Sequence, residues 1–193
     1  NADGFTLRDS RFLSGKLVLA SSDGVVVVHN RFGSDGLQIS ASSSGDSVYN
    51  DMAGTLDIDA AFTGAIAFND IHGASIGVDY GAAAALRDNR IRDNTTGIRT
   101  TVAGTVTGLG FAAGAGVNHV LDNVTGIIAV NAQFQNQHVQ GSSIGVAGSG
   151  IIGGADLALA NRIEGNATGV SGFTGTVQYS RVAGNGIGIA ASN

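Results

Sequence analysis

Nine times along this chain a small polar residue is followed by a charged or imidazole residue and then by a bulky apolar one. The triplets are Ser10-Arg11-Phe12, Asn30-Arg31-Phe32, Asn50-Asp51-Met52, Asn69-Asp70-Ile71, Asn89-Arg90-Ile91, Asn118-His119-Val120, Gln137-His138-Val139, Asn161-Arg162-Ile163 and Ser180-Arg181-Val182. Subtracting those positions puts successive first members 20, 20, 19, 20, 29, 19, 24 and 19 residues apart. A unit of about twenty residues cannot bury its apolar face alone, so it must stack on its neighbours. The chain is therefore read as a solenoid, with one domain spanning residues 1–193.

Within each coil the apolar residues lie two apart: Leu37/Ile39, Leu56/Ile58, Ile76/Val78, Ile144/Val146 and Ile187/Ile189. That spacing belongs to strands and not to helices. Leu7, Val27, Ile66, Leu86, Phe134 and Val177, each three residues before a triplet, give a further inward column. Short strands separated by Gly, Ser, Asn and Asp corners follow, hence an all-β fold of about nine coils and a rod of roughly 40 Å at ~4.8 Å per coil. With 43% hydrophobic residues the 31 glycines fit such corners, not a disordered chain. There is no Cys to form a disulfide, so stacking alone must hold the fold.

The first triplet position is mostly Asn: Asn30, Asn50, Asn69, Asn89, Asn118 and Asn161. An Asn side chain both donates and accepts, so stacked copies predict an internal asparagine ladder. The second position faces outward and reads Arg, Arg, Asp, Asp, Arg, His, His, Arg, Arg along the rod. Arg31 beside Asp51 and Asp70 beside Arg90 predict ion pairs across adjacent coils. His119 and His138 are neighbours in that file, two potential imidazole ligands where zinc sites use three or four.

The segments Asn89-Arg90-Ile91-Arg92-Asp93-Asn94-Thr95-Thr96-Gly97-Ile98 and Asn161-Arg162-Ile163-Glu164-Gly165-Asn166-Ala167-Thr168-Gly169-Val170 resemble the rung motif "N-x-I-x-x-N-x-x-G-I". That motif is the mark of right-handed parallel β-helices of the pectate-lyase-like superfamily, and it covers most of the chain. The resemblance implies right-handed coiling and a secreted or cell-surface location, of the kind found in bacterial surface proteins. Members include polysaccharide lyases, hydrolases, alginate epimerases, phage tailspikes and adhesins, so it implies a fold more than an activity.

Two coils are long. The extra residues are assigned to 101–116 and 148–156, both poor in charge, and are read as tolerated surface insertions. In Leu56-Asp57-Ile58-Asp59 the aliphatics point inward, so both carboxylates point outward, about 6–7 Å apart. Aligning Ile76-Gly77-Val78-Asp79 on that segment places Asp79 beside Asp59, Arg99 in the file of Asp57, and Gly77 as an open slot between them. Asp57, Asp59 and Asp79 form a candidate calcium site, since calcium takes several hard oxygen ligands. Arg99, with Gln38 and Ser40 flanking, is a candidate contact for a carboxylated sugar. The superfamily resemblance implies a matching chemistry, in which calcium acidifies the proton beside a uronate carboxylate and a basic group removes it. The chain departs from lyases in lacking long cleft loops, a surplus of Lys or Arg on that face, and Trp. Without Pro it also lacks the Asp-Pro-His motif of alginate epimerases.

Asn94, Asn123 and Asn166 each head an Asn-x-Thr sequence, which matches the glycosylation sequon. Their recurrence at one corner before Gly favours a turn role. A net charge of −5 argues against nucleic-acid binding, and no apolar run is long enough to cross a membrane. The chain starts at Asn1 and shows no capping sequence at either end, as expected of a segment or of a subunit whose copies stack end to end. Two functions follow: an extracellular structural or adhesive β-helix that self-associates through its ends, or a calcium-dependent polysaccharide-binding or polysaccharide-processing protein.

Overall fold

A computed structural model describes residues 3–111 and 116–191. The chain is a parallel β-solenoid of about nine turns. Three sheets of parallel strands form its walls. The first wall has five strands, Thr6–Arg8, Val25–Val28, Ser43–Val48, Phe62–Ala67 and Ala84–Arg87. The second takes one strand from every turn, from Arg11–Phe12 to Ser180–Ala183, and each carries a triplet. The third runs from Leu17–Leu19 to Ile187–Ala190.

Each wall alternates because each strand does. In the second wall Phe32, Met52, Ile71, Ile91, Val120, Val139 and Ile163 are at most 1% exposed, and they stack as one inward column. In the third, Leu37, Leu56, Val78, Ile98, Ile127, Val146 and Val170 form another. Each such side chain contributes roughly 1.5–3 kcal/mol by leaving water. The first and last described turns have a described neighbour on one side only. Leu7, Phe12 and Leu17 are only partly buried, and Ile189, in line with Val170, is 54% exposed.

The corner before the second wall explains the Asn column. Asp9, His29, Tyr49, Phe68 and Asp88 adopt left-handed φ between 50° and 59°, and each is followed by a ladder residue. That turn aims the next side chain inward, where its amide can meet backbone groups that the bend has left unpaired. The backbone N–H of Asn30 donates to Oδ1 of Asn50 (2.9 Å), Asn50 to Asn69 (2.9 Å), Asn69 to Asn89 (3.0 Å) and Asn89 to Asn118 (3.2 Å). Gln137 and Asn161 continue the series, and Ser10 and Ser180 end it. Each Nδ2 also donates to a carbonyl one turn back, in the first wall for Asn30 (Leu7), Asn50 (Val27) and Asn118 (Leu86), and at the end of the long strand Thr125–Phe134 for Asn161 (Phe134). The expected ladder is present.

A second ladder occupies the next corner, and the sequence reading treated its residues as a turn. Asp93 and Asp122, then Gly141, Gly165 and Gly184, take left-handed φ just before Asn94, Asn123, Ser142, Asn166 and Asn185. Asn94 donates through its backbone N–H (2.9 Å) and Nδ2 (3.1 Å) to Oδ1 of Asn123, and Asn166 donates likewise to Asn185. Ser142 interrupts the series with a buried hydroxyl that has no partner. Asn94, Asn123 and Asn166 are each 3% exposed, so none of the three can carry a glycan in the folded protein.

Glycine is required beside this ladder. A Cβ on Gly97 would lie 2.6 Å from the carbonyl oxygen of Gly126 and 2.9 Å from Nδ2 of Asn123. Gly145 and Gly169 repeat the arrangement, and Gly126 repeats its carbonyl contact, with Val139 in place of the asparagine. From the fourth turn onward the ladder and its glycines lengthen the corner, so the inward third-wall residue moves from Leu37 and Leu56 to Val78 and Ile98.

The long turns are also built differently from expectation. In the 101–116 segment, Val106 and Leu109 are 1% and 0% exposed and join the core, and Gly104–Thr105 pairs with the long strand Thr125–Phe134. That insertion is wall, not surface; its residues 112–115 lie outside the described residues. Gly148–Ile152 belongs to the strand Ile144–Ile152, so the extra residues of the second insertion lie beyond it, around the short 3₁₀ turn Leu157–Leu159.

Candidate functional site

On the outer face of the third wall, Gln38, Asp57, Asp79 and Arg99 occupy one file, paired strand to strand. This corrects the expected alignment: Asp79 stands beside Asp57, not Asp59, and Arg99 stands beside Asp79. Ile76 looks like the counterpart of Leu56 but begins its strand two residues before Val78, which is the residue that pairs with Leu56. Gly77 is no open slot, because a Cβ there would meet Nδ2 of Asn94 at 2.7 Å inside the molecule.

Each carboxylate of this face already has a side-chain partner, two of them cationic. Arg99 grips both carboxylate oxygens of Asp79, through Nε at 3.1 Å and through Nη2. Nζ of Lys16 lies 3.6 Å from Asp57, and the amide of Gln38 donates to Asp59 at 2.6 Å. The Ser40 hydroxyl turns back to the Leu19 carbonyl and does not join the group. Burial, then the charge of Asp59, pushes the Asp57 carboxyl above its ordinary value. Among the described residues, no three His, Asp or Glu side chains gather to hold a metal ion.

The outer face of the second wall follows the sequence reading closely. Arg11, Arg31, Asp51, Asp70, Arg90, His119, His138, Arg162 and Arg181 align in one file through every pairing. Arg31 Nε is 3.4 Å from Asp51, as expected, but Asp51 is engaged more closely by His72 Nε2 at 2.7 Å. Asp70 is held by Arg92, through Nε and Nη2 both at 2.9 Å, while Arg90 stays 4.0 Å away. His72 and Arg92 lie in the neighbouring outward file, which the sequence reading had not counted. Strands of this wall carry six arginines against Asp51, Asp70 and Glu164, in a chain of net charge −5.

His119 and His138 meet Nδ1 to Nδ1 at 3.3 Å, so one ring donates and the other accepts. His138 Nε2 lies 3.1 Å from Glu164 Oε1 but out of line for a hydrogen bond. Burial, and after it the Arg162 charge, lowers the His138 pKa. Burial would raise Glu164, but the Arg162 hydrogen bond and the charges of Arg162, His138 and Arg181 outweigh it and hold the carboxyl below its usual range.

The first corner carries a feature the sequence reading missed. His29, Tyr49 and Phe68 stack outward, with ring centroids 5.4 and 5.0 Å apart and Arg87 over Phe68. Left-handed φ is costly for such bulky residues, and stacking worth about 0.5–1.5 kcal/mol per pair offsets it. The available signal was an aromatic residue directly before each of Asn30, Asn50 and Asn69.

No protein-family model, curated protein or solved structure matches this chain.

Proposed function

We propose that this chain is a structural or adhesive β-solenoid of the cell surface or extracellular space, a rigid rod whose end turns stack on further turns, in the first instance those of another copy. One observation carries the reading. The columns that are dry along the rod lose their cover at the first and last described turns: Leu7, Phe12 and Leu17 are only partly buried at one, and at the other Ile189 is 54% exposed against 1% for Val170. Among the described residues, Thr6–Arg8, Arg11–Phe12 and Leu17–Leu19 each pair on one side only, as do Ser180–Ala183 and Ile187–Ala190 in the last turn. All walls are parallel, so the last turn of one copy offers the first turn of another the same hydrogen-bond pattern that joins turns within the chain. Such head-to-tail contact does not close on itself and grows into fibres.

The polysaccharide alternative draws less from the geometry, because Asp79 and Arg99 satisfy each other and Ser40 stands apart. Electron microscopy and sedimentation over a concentration series provide the test. Filaments one solenoid wide are expected, and Ile189→Asp should abolish them by placing a charge at the junction. A chain that stays monomeric throughout, or an Ile189→Asp variant that assembles like the wild type, overturns the proposal.

A further inference from the structure

One arginine pair on the second wall shares a carboxylate and its counterpart does not. Arg162 and Arg181 face each other across adjacent strands, and so do Arg11 and Arg31. Two like charges one strand apart repel. Between Arg162 and Arg181 the repulsion is relieved by Glu164, which pairs with Arg162 and lies 3.7 Å from Arg181. Glu164 comes three residues after its ladder Asn. The same position in the first turn, three after Ser10, is Leu13.

Leu13 supplies no charge and is 75% exposed. Arg11 has no ion-pair partner among the described residues. Arg31 reaches only Asp51, at 3.4 Å, and His72 is closer to that carboxylate. A cleft opens beside the two guanidiniums, lined by Arg11, Leu13, Arg31, Gly33 and Ala53. In the file that runs on to His72 and Arg92, Gly33 and Ala53 leave a hollow where those later turns carry long side chains.

We propose that this cleft binds an exogenous carboxylate carrying an apolar body. The carboxylate takes the place between Arg11 and Arg31 that the Glu164 carboxylate holds between Arg162 and Arg181. Guanidinium groups match a carboxylate with paired, charge-assisted hydrogen bonds. The apolar body covers Leu13 and fills the hollow over Gly33 and Ala53, which removes exposed hydrocarbon from water. The chain thus contains both an occupied version of the site, filled internally, and an open one.

An NMR titration of the ¹⁵N-labelled protein with hexanoate, acetate and sulfate at constant ionic strength tests this. Saturable shifts centred on Arg11, Leu13, Arg31 and Gly33 are expected, with hexanoate about tenfold tighter than acetate. Leu13→Glu should fill the site from within and Arg11→Gln should remove one of its arms. Each should weaken hexanoate by about tenfold or more, while Arg162→Gln leaves it unchanged. Both altered residues are exposed, and the amide spectrum reports directly whether each variant is folded. No saturable shift in the wild type, sulfate binding as tightly as hexanoate, or undiminished hexanoate affinity in Leu13→Glu would each overturn the assignment.

Discussion

Asn89→Ala isolates what one rung of the first ladder contributes. Asn89 has no solvent exposure, and its side chain makes four hydrogen bonds. Oδ1 accepts from the backbone N–H (3.0 Å) and Nδ2 (3.0 Å) of Asn69, and Nδ2 donates to the Ile66 carbonyl (2.9 Å) and to Oδ1 of Asn118 (3.0 Å). Truncation does not orphan every partner. Asn69 Nδ2 keeps the Ser47 carbonyl at 2.9 Å, and Asn118 Oδ1 keeps the backbone N–H of residue 89 at 3.2 Å. The Asn69 backbone N–H, however, is left buried with no acceptor, which costs about 1–3 kcal/mol, and each other lost bond about 0.5–1.5. The expected loss is about 4 kcal/mol, a large part of the 5–15 kcal/mol typical of a whole domain. Urea denaturation followed by circular dichroism measures it. Asn89→Asp should lose more, because it turns a carboxylate oxygen toward the Ile66 and Asn118 acceptors in place of a donor. Ser10→Ala, at the partly exposed end of the same ladder, should stay within ~0.5 kcal/mol of the wild type. If Asn89→Ala costs less than about 1 kcal/mol, or if Asn89→Asp matches the wild type, hydrogen bonding in the ladder does not hold the turns together.

Glycine is expected to matter for two different reasons at two positions of the second corner. Gly97→Ala should cost about 3 kcal/mol, because its Cβ would press on the Gly126 carbonyl at 2.6 Å and turns would have to part. Gly73→Ala, whose Cβ meets nothing within 4 Å, should cost only the left-handed conformation, about 1 kcal/mol; equal losses in parallel melts would refute the steric account. His138 sets a pH dependence. With its pKa lowered on folding from the usual 6.5, the unfolded chain takes up the proton first. Stability should therefore be full above about pH 7 and fall as the pH drops through 6.5 toward the lower folded value. Melting temperature against pH should show this fall in the wild type and lose it in His138→Gln; superimposable profiles would remove His138 from the explanation.

Legibility in the sequence followed the constancy of the repeat. The second wall could be read residue by residue because the distance from each ladder residue to Phe32, Met52, Ile71 and their successors never changes, so the whole outward file from Arg11 to Arg181 fell into place. The third wall could not, because the intervening corner grows at the fourth turn. Ile76 carries the right chemistry at the wrong distance, and the register of Asp79 and Arg99 was misread with it. Asn94, Asn123 and Asn166 read as turn formers in the sequence, since a polar residue beside glycine looks the same whether it faces water or the core. Leu109 gave no periodic signal at all. It reaches the core from an irregular turn, Thr107–Phe111, that stands in for a first-wall strand.

The outward file of the second wall also bears on how a rod of these units would respond to its medium. Its last two members are Arg162 and Arg181, and its first two are Arg11 and Arg31. Copies joined in register would run four guanidiniums in succession across each seam, with Glu164 beside that file on the C-terminal side. Hydrophobic closure of the seam would then work against a local repulsion reaching ~30 Å at 0.01 M salt but only ~10 Å at 0.1 M. Ionic strength, acting at the joints and leaving the units unchanged, would set the length to which such fibres grow.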